Sequence, residues 1–215
     1  MSLFRKNKKI EGEIGYFDLQ EWWLSDLTKE EQNVILSVYN PLGIGEDSLI
    51  KGKIFSTSQT VIGLLSGLSG WFKRPEYREI GYKIIKKAEE LASDKIPFLD
   101  LHFLYQSKIQ IYYRNRDNDD FALPLAIEAC KQQIGISEKV KEAFIKEMGL
   151  PLPEHVGYKQ LCIIMEKQKN YDEVIRLSKI AKEQGWSGDW DRRIEKCKKK
   201  IENIKKKIKG SGLNI

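Results

Sequence analysis

The chain has 215 residues, with 37 Lys and Arg against 31 Asp and Glu, and three cysteines. A chain of this length can bury a core that needs neither disulfide nor metal, so no cofactor is expected. Cys130, Cys162 and Cys197 form no CxxC pair, Met1 to Ile10 lacks a signal-peptide pattern, and the mostly apolar run from Val61 to Phe72 is too short to cross a bilayer; these features predict a cytoplasmic protein with no membrane partner.

The net charge of +6 is unevenly placed. Residues 191–210 hold ten Lys and Arg against three acidic residues, a local balance of +7 that leaves the rest of the chain almost neutral. A weaker basic cluster, Arg5, Lys6, Lys8 and Lys9, lies near the start. A protein-wide phosphate-binding surface is therefore not indicated.

Apolar residues recur at helical spacing along the chain with almost no alternation of period two, which predicts an all-α protein. Residues 18–27 read as a short helix carrying Trp22 and Trp23. Thr28 followed by Glu31 is a capping box for the next helix, whose apolar face is Val34, Ile35 and Val38 and which Asn40-Pro41 ends. Residues 42–56, with Gly43, Gly45 and Gly52, fit a loop or a short hairpin. Gly43-Ile44-Gly45 echoes a phosphate loop but lacks the strand, third glycine and later acid of a dinucleotide fingerprint. Residues 57–72 read as a buried helix in which Gly63 and Gly67 are spaced to admit a second helix closely. Pro75 then opens a helix with a stripe of Tyr77, Ile80, Ile84, Ile85, Ala88 and Leu91. Further helices are expected at 97–114, 120–134, 137–148, 153–168, 171–184 and 189–208.

No catalytic constellation assembles along this path. His102 and His155 fall on different helices without a Cys or second His at ligand spacing, so each reads as a partly buried or turn residue and no metal site is expected. Ser66 and Ser69 flank Gly67 without forming a nucleophile elbow. Asp117, Asn118, Asp119 and Asp120 read as a turn that caps the following helix. The tryptophans and cysteines read as core.

On the helix at 153–168, Tyr158, Leu161, the small Cys162 and Met165 form one face. On the next helix Tyr171, Val174, Ser178 and Ala181 follow. This pair, residues 155–186, resembles a tetratricopeptide (TPR) hairpin. Shifting by fifty residues lays Phe121 over Tyr171, Leu125 over Ile175, Ile127 over Leu177 and Gly135 over Gly185, so residues 101–135 are a degenerate second unit, in which Pro124 and Lys131 fall where the pattern wants small or apolar residues and after which the helix at 137–148 interrupts the spacing. The resemblance implies antiparallel helical hairpins in a short TPR-like α-solenoid over residues 96–215, after a helical region of unassigned family over residues 1–95. It also implies a noncatalytic scaffold for a protein or peptide partner. The groove positions carried over are Lys159, Ile163 and Glu166, with Gln106, Tyr113 and Arg116 on the degenerate unit.

Trp190, Ile194, Cys197, Ile201, Ile204 and Ile208 are spaced as an a/d seam, which predicts a terminal helix packed on the one at 171–184 as a cap; a dimeric coiled coil is the alternative. Two other functions stay open. One is nucleic-acid association through Lys198, Lys199, Lys205 and Lys206. The other is an enzyme whose site lies in the N-terminal half.

Overall fold

The computed structural model describes residues 10–41, 48–72, 74–93 and 95–210, with backbone alone at 209 and 210. Gly43-Ile44-Gly45 and the basic cluster from Arg5 to Lys9 lie outside the described residues. Among the described residues there are eleven α-helices, one 3₁₀ turn and no strand, so the protein is all-helical. No described helix is long and apolar enough to cross a membrane. The chain divides into two compact units, Met1–Lys95 and Ile96–Ile215.

The first unit contains α1 (Gly12–Tyr16), α2 (Gln20–Ser25), α3 (Lys29–Val38), α4 (Val61–Ser69) and α5 (Arg78–Leu91), the last preceded by the 3₁₀ turn Pro75–Tyr77. The capping box is formed in both directions: Glu31 N–H donates to Thr28 Oγ1 at 3.2 Å, and Thr28 N–H donates to Glu31 Oε2 at 2.8 Å. Two orphan donors at the start of α3 are thereby satisfied. The helix α1 was not expected from spacing. Gly12 makes it possible, because its backbone is left-handed (φ +62°) and an added Cβ would stand 2.6 Å from the Leu49 carbonyl carbon. The helix expected from residue 57 begins at Val61, where Thr60 caps it by accepting from Gly63 N–H at 2.9 Å. Gly67 does not serve close helix approach as expected, since no atom lies within 4 Å of where its Cβ would stand. Trp22 and Trp23 are buried with Ile14, Ile35, Leu65 and Ile84, while Trp71 is exposed beside Tyr39.

The second unit contains α6 (Phe98–Asn115), α7 (Ala122–Gly135), α8 (Ser137–Met148), α9 (Val156–Lys167), α10 (Tyr171–Glu183) and α11 (Trp190–Gly210). Four packed pairs run in order: α6 on α7, α7 on α9, α9 on α10, and α10 on α11; α8 packs against α6. Asn170 caps α10 by accepting from Glu173 N–H at 3.3 Å. The core gathers Ile109, Cys130, Phe144, Tyr158, Leu161 and Trp186 with the first half of α11, where Trp190 and Cys197 are buried. All three cysteines are buried free thiols. One buried polar side chain ties three helices together. Gln133 on α7 donates from Nε2 to the His102 carbonyl of α6 at 2.9 Å and accepts from Gly157 N–H of α9 at 2.6 Å.

Candidate binding surfaces of the second unit

On α6, Tyr113 and Arg116 are one turn apart, and the Arg116 guanidinium lies 4.2 Å from the Tyr113 ring centre. Arg116 Nη1 also donates to the Tyr113 carbonyl at 2.7 Å, and Nη2 meets Asp117 at 3.0 Å, which holds the stack in place. Lys167, the last residue of α9, places its ammonium 5.6 Å from the same ring. A phenol ring bracketed by two cations is an electron-rich face held in a positive field.

Beside this stack is a surface cleft of about 320 Å³ between α6 and α9. Ile109 and Val156 give it an apolar floor; Gln110, Tyr113, Arg114 and Arg116 line it from α6, and Gln160 lines it from α9. No carboxylate is among these lining residues. The Gln160 Nε2 amide is buried and finds no hydrogen-bond partner among the described residues.

Of the expected groove residues, Tyr113 and Arg116 line the cleft. Gln106 is half-buried further back along α6. The α9 residues divide by helical phase. Val156, Gln160, Ile163 and Lys167 recur at i, i+4, i+7 and i+11 and share the face turned to Tyr113. Lys159 and Glu166 sit on other faces. Lys159 pairs with Glu154 at 2.7 Å, and Glu166 meets Lys196 and Lys200 at 2.7 Å and Arg193 at 3.7 Å. The hydrogen bonds from Lys196 and Lys200 pull the Glu166 carboxyl down to a pKa of about 2. Gln160, Lys167, Gln110 and Arg114 were missed by sequence reasoning; the i, i+4, i+7, i+11 spacing from Val156 is the signal that finds Gln160 and Lys167.

The basic helix is partly neutralised along its packed half. Arg192 pairs with Asp189, Lys182 with Asp191, Lys198 with Glu195 and Lys200 with Glu166. Lys199, Lys205 and Lys206 are exposed. Of the four expected patch residues, Lys198 is held by a carboxylate, Glu195 at 2.7 Å.

The structure brings together two histidines that the sequence keeps 53 positions apart. His102 on α6 and His155, the N-cap of α9, meet with ring centres 5.1 Å apart, and Trp186 stacks on the first and abuts the second. His155 Nδ1 accepts from Tyr158 N–H, so its proton sits on Nε2. The His102 Nδ1 has no partner among the described residues. Burial holds both imidazoles neutral, at pKa values of about 4 for His102 and about 3 for His155. Sealed by Trp186 and Phe144, the pair is part of the core. No group of three His, Cys, Asp or Glu able to hold a metal occurs among the described residues.

Comparison of the chain with protein-family models, with curated proteins and with solved structures finds no match.

Proposed function

We propose that the second unit is a noncatalytic, cytoplasmic binding scaffold whose α6/α9 cleft holds an acidic peptide segment of a protein partner. The observation that carries this reading is the Tyr113 ring with Arg116 and Lys167 against it, beside a cleft with no carboxylate among its lining residues. Arg116 and Lys167 favour negative charge, and Ile109 and Val156 cover apolar stems.

A TPR-like arrangement supports the same reading. In it, α6/α7 and α9/α10 are two hairpins of a short α-solenoid, α11 is its cap, and the first helices α6 and α9 form the groove. The small residues expected where α9 and α10 cross are in contact there: Cys162 Sγ lies 3.6 Å from Ser178 Oγ.

Selection from a displayed library of random peptides against the full chain tests the proposal. Enrichment of Asp- and Glu-containing sequences, lost when Tyr113 and Arg116 are both replaced by Ala, is the expected result. Enrichment unaffected by that double substitution, or no enrichment, overturns it.

A further inference from the structure

The end of α9 and the start of α11 meet at Glu166. A surface cavity of about 380 Å³ opens there, lined by Glu166, Asp189, Arg192, Arg193 and Lys196. Its size is that of a small-molecule site.

Charge in this corner does not balance. Glu166 is met by Lys196 and Lys200 at 2.7 Å and by Arg193 at 3.7 Å, so three cations share one carboxylate. Arg192 pairs with Asp189, its Nε donating at 2.9 Å. Four cations thus stand against two carboxylates. Helical phase builds the surplus. At about 100° per residue, Arg192, Arg193, Lys196, Lys199 and Lys200 fall in an arc of roughly 120°, and no other residue between 192 and 200 falls in it. The acids of the same stretch are turned away: Asp191 pairs with Lys182 and Glu195 with Lys198.

We propose that this corner binds the diphosphate or triphosphate group of a small molecule. Guanidinium groups grip phosphate oxygens in pairs, and lysines add point charges. The side chains of Arg193 and Glu166 are 15% and 16% exposed, which fixes the floor of the site, whereas those of Arg192 and Lys196 are 83% and 58% exposed and can turn to a ligand. An anion of charge two or more offsets the surplus, which a lone carboxylate does not. A nucleic-acid strand fits this corner less well. Trp186 and Trp190 beside it are buried, with their indole N–H groups already donating, so neither offers a face on which bases could stack. Glu166 is an internal competitor in this arrangement, because the cations that hold it are those that phosphate takes. The corner is separate from the α6/α9 cleft and stands independently of the reading given to it.

Calorimetric titration of the full chain with inorganic tripolyphosphate, and separately with ATP, tests the proposal. Both should bind; tighter binding of ATP identifies a nucleotide as the source of the phosphates, and equal binding the bare chain. Arg192→Gln with Lys196→Gln should weaken binding about tenfold or more. Lys205→Gln with Lys206→Gln removes the same charge further along α11 and should change it less than about twofold. Glu166→Gln should tighten binding about threefold or more, although it removes contacts between α9 and α11, an effect that a purely structural role for these residues would not produce. Failure of both probes to bind overturns the proposal. So does equal weakening by the two double substitutions, which would reduce the interaction to net charge, or unchanged or weaker binding in Glu166→Gln. A single-stranded RNA that competes for this corner and binds more tightly than either probe would make it a nucleic-acid surface and overturn it as well.

Discussion

The imidazoles of His102 and His155 stand edge to face, 5.1 Å apart, with Trp186 packed on both. Neither ring can be charged without burying a cation, and charging both would place two cations against each other. Their folded pKa values, about 4 and about 3, lie below the ordinary 6.5. Between those values the unfolded chain binds more protons than the folded one, so stability falls as pH falls below about 6.5.

Acidification from about pH 7 to about pH 5 should therefore cost on the order of 2 kcal/mol per histidine. His102→Leu should remove about half of this loss while leaving the protein near full stability at neutral pH, because the His102 Nδ1 has no partner to lose. Urea melts of both proteins at several pH values check it. Equal acid sensitivity in the two would show that other groups dominate.

Gln133 should be hard to replace. Gln133→Leu leaves the buried Gly157 N–H without an acceptor, at a cost of about 1–3 kcal/mol. Gly157→Ala should destabilise to a similar degree, because its Cβ would meet Gln133 Oε1 at 2.8 Å and the Cys130 carbonyl oxygen at 3.1 Å. Thermal denaturation of each variant reads both effects.

Two neighbours on α9 should differ sharply. Leu161 is buried in the core and Lys159 is a surface partner of Glu154. Leu161→Ala is expected to cost about 2–5 kcal/mol, and Lys159→Ala within about 0.5 kcal/mol. A Lys159 variant as unstable as the Leu161 variant would contradict the helix phase.

Glu166→Gln should loosen α11 by about 1 kcal/mol, less at high salt because the lysines around it are exposed. The sign with pH follows from its lowered pKa. The contribution is present above the ordinary 4.5 and is lost as pH falls through about 2, well below the histidine window.

Local chemistry was legible in the sequence and convergence was not. The Thr28–Glu31 box and the stripe of α5 rest on residues within a few positions of each other, so their pattern shows without a fold. The seam of α11 was legible in the same way, but where its cover ends depends on the length of α10. The histidine pair depends on α6, the start of α9 and Trp186 meeting in space, which no local spacing records. On α9 the assigned groove mixed two faces, since Lys159, Gln160, Glu166 and Lys167 are all polar. Only the cations of α11 around Glu166, and Tyr113 beside Lys167, separate the side turned to α11 from the side turned to the cleft.

The affinity of one selected acidic peptide for two variants tests the central claim most directly. In one variant Tyr113 and Arg116 are replaced by Ala; in the other Lys198, Lys199, Lys205 and Lys206 are replaced by Gln. The account predicts about a tenfold or greater loss in the first and less than about a threefold change in the second. A peptide that binds the first variant normally and is lost from the second would place binding on the basic helix and contradict the cleft.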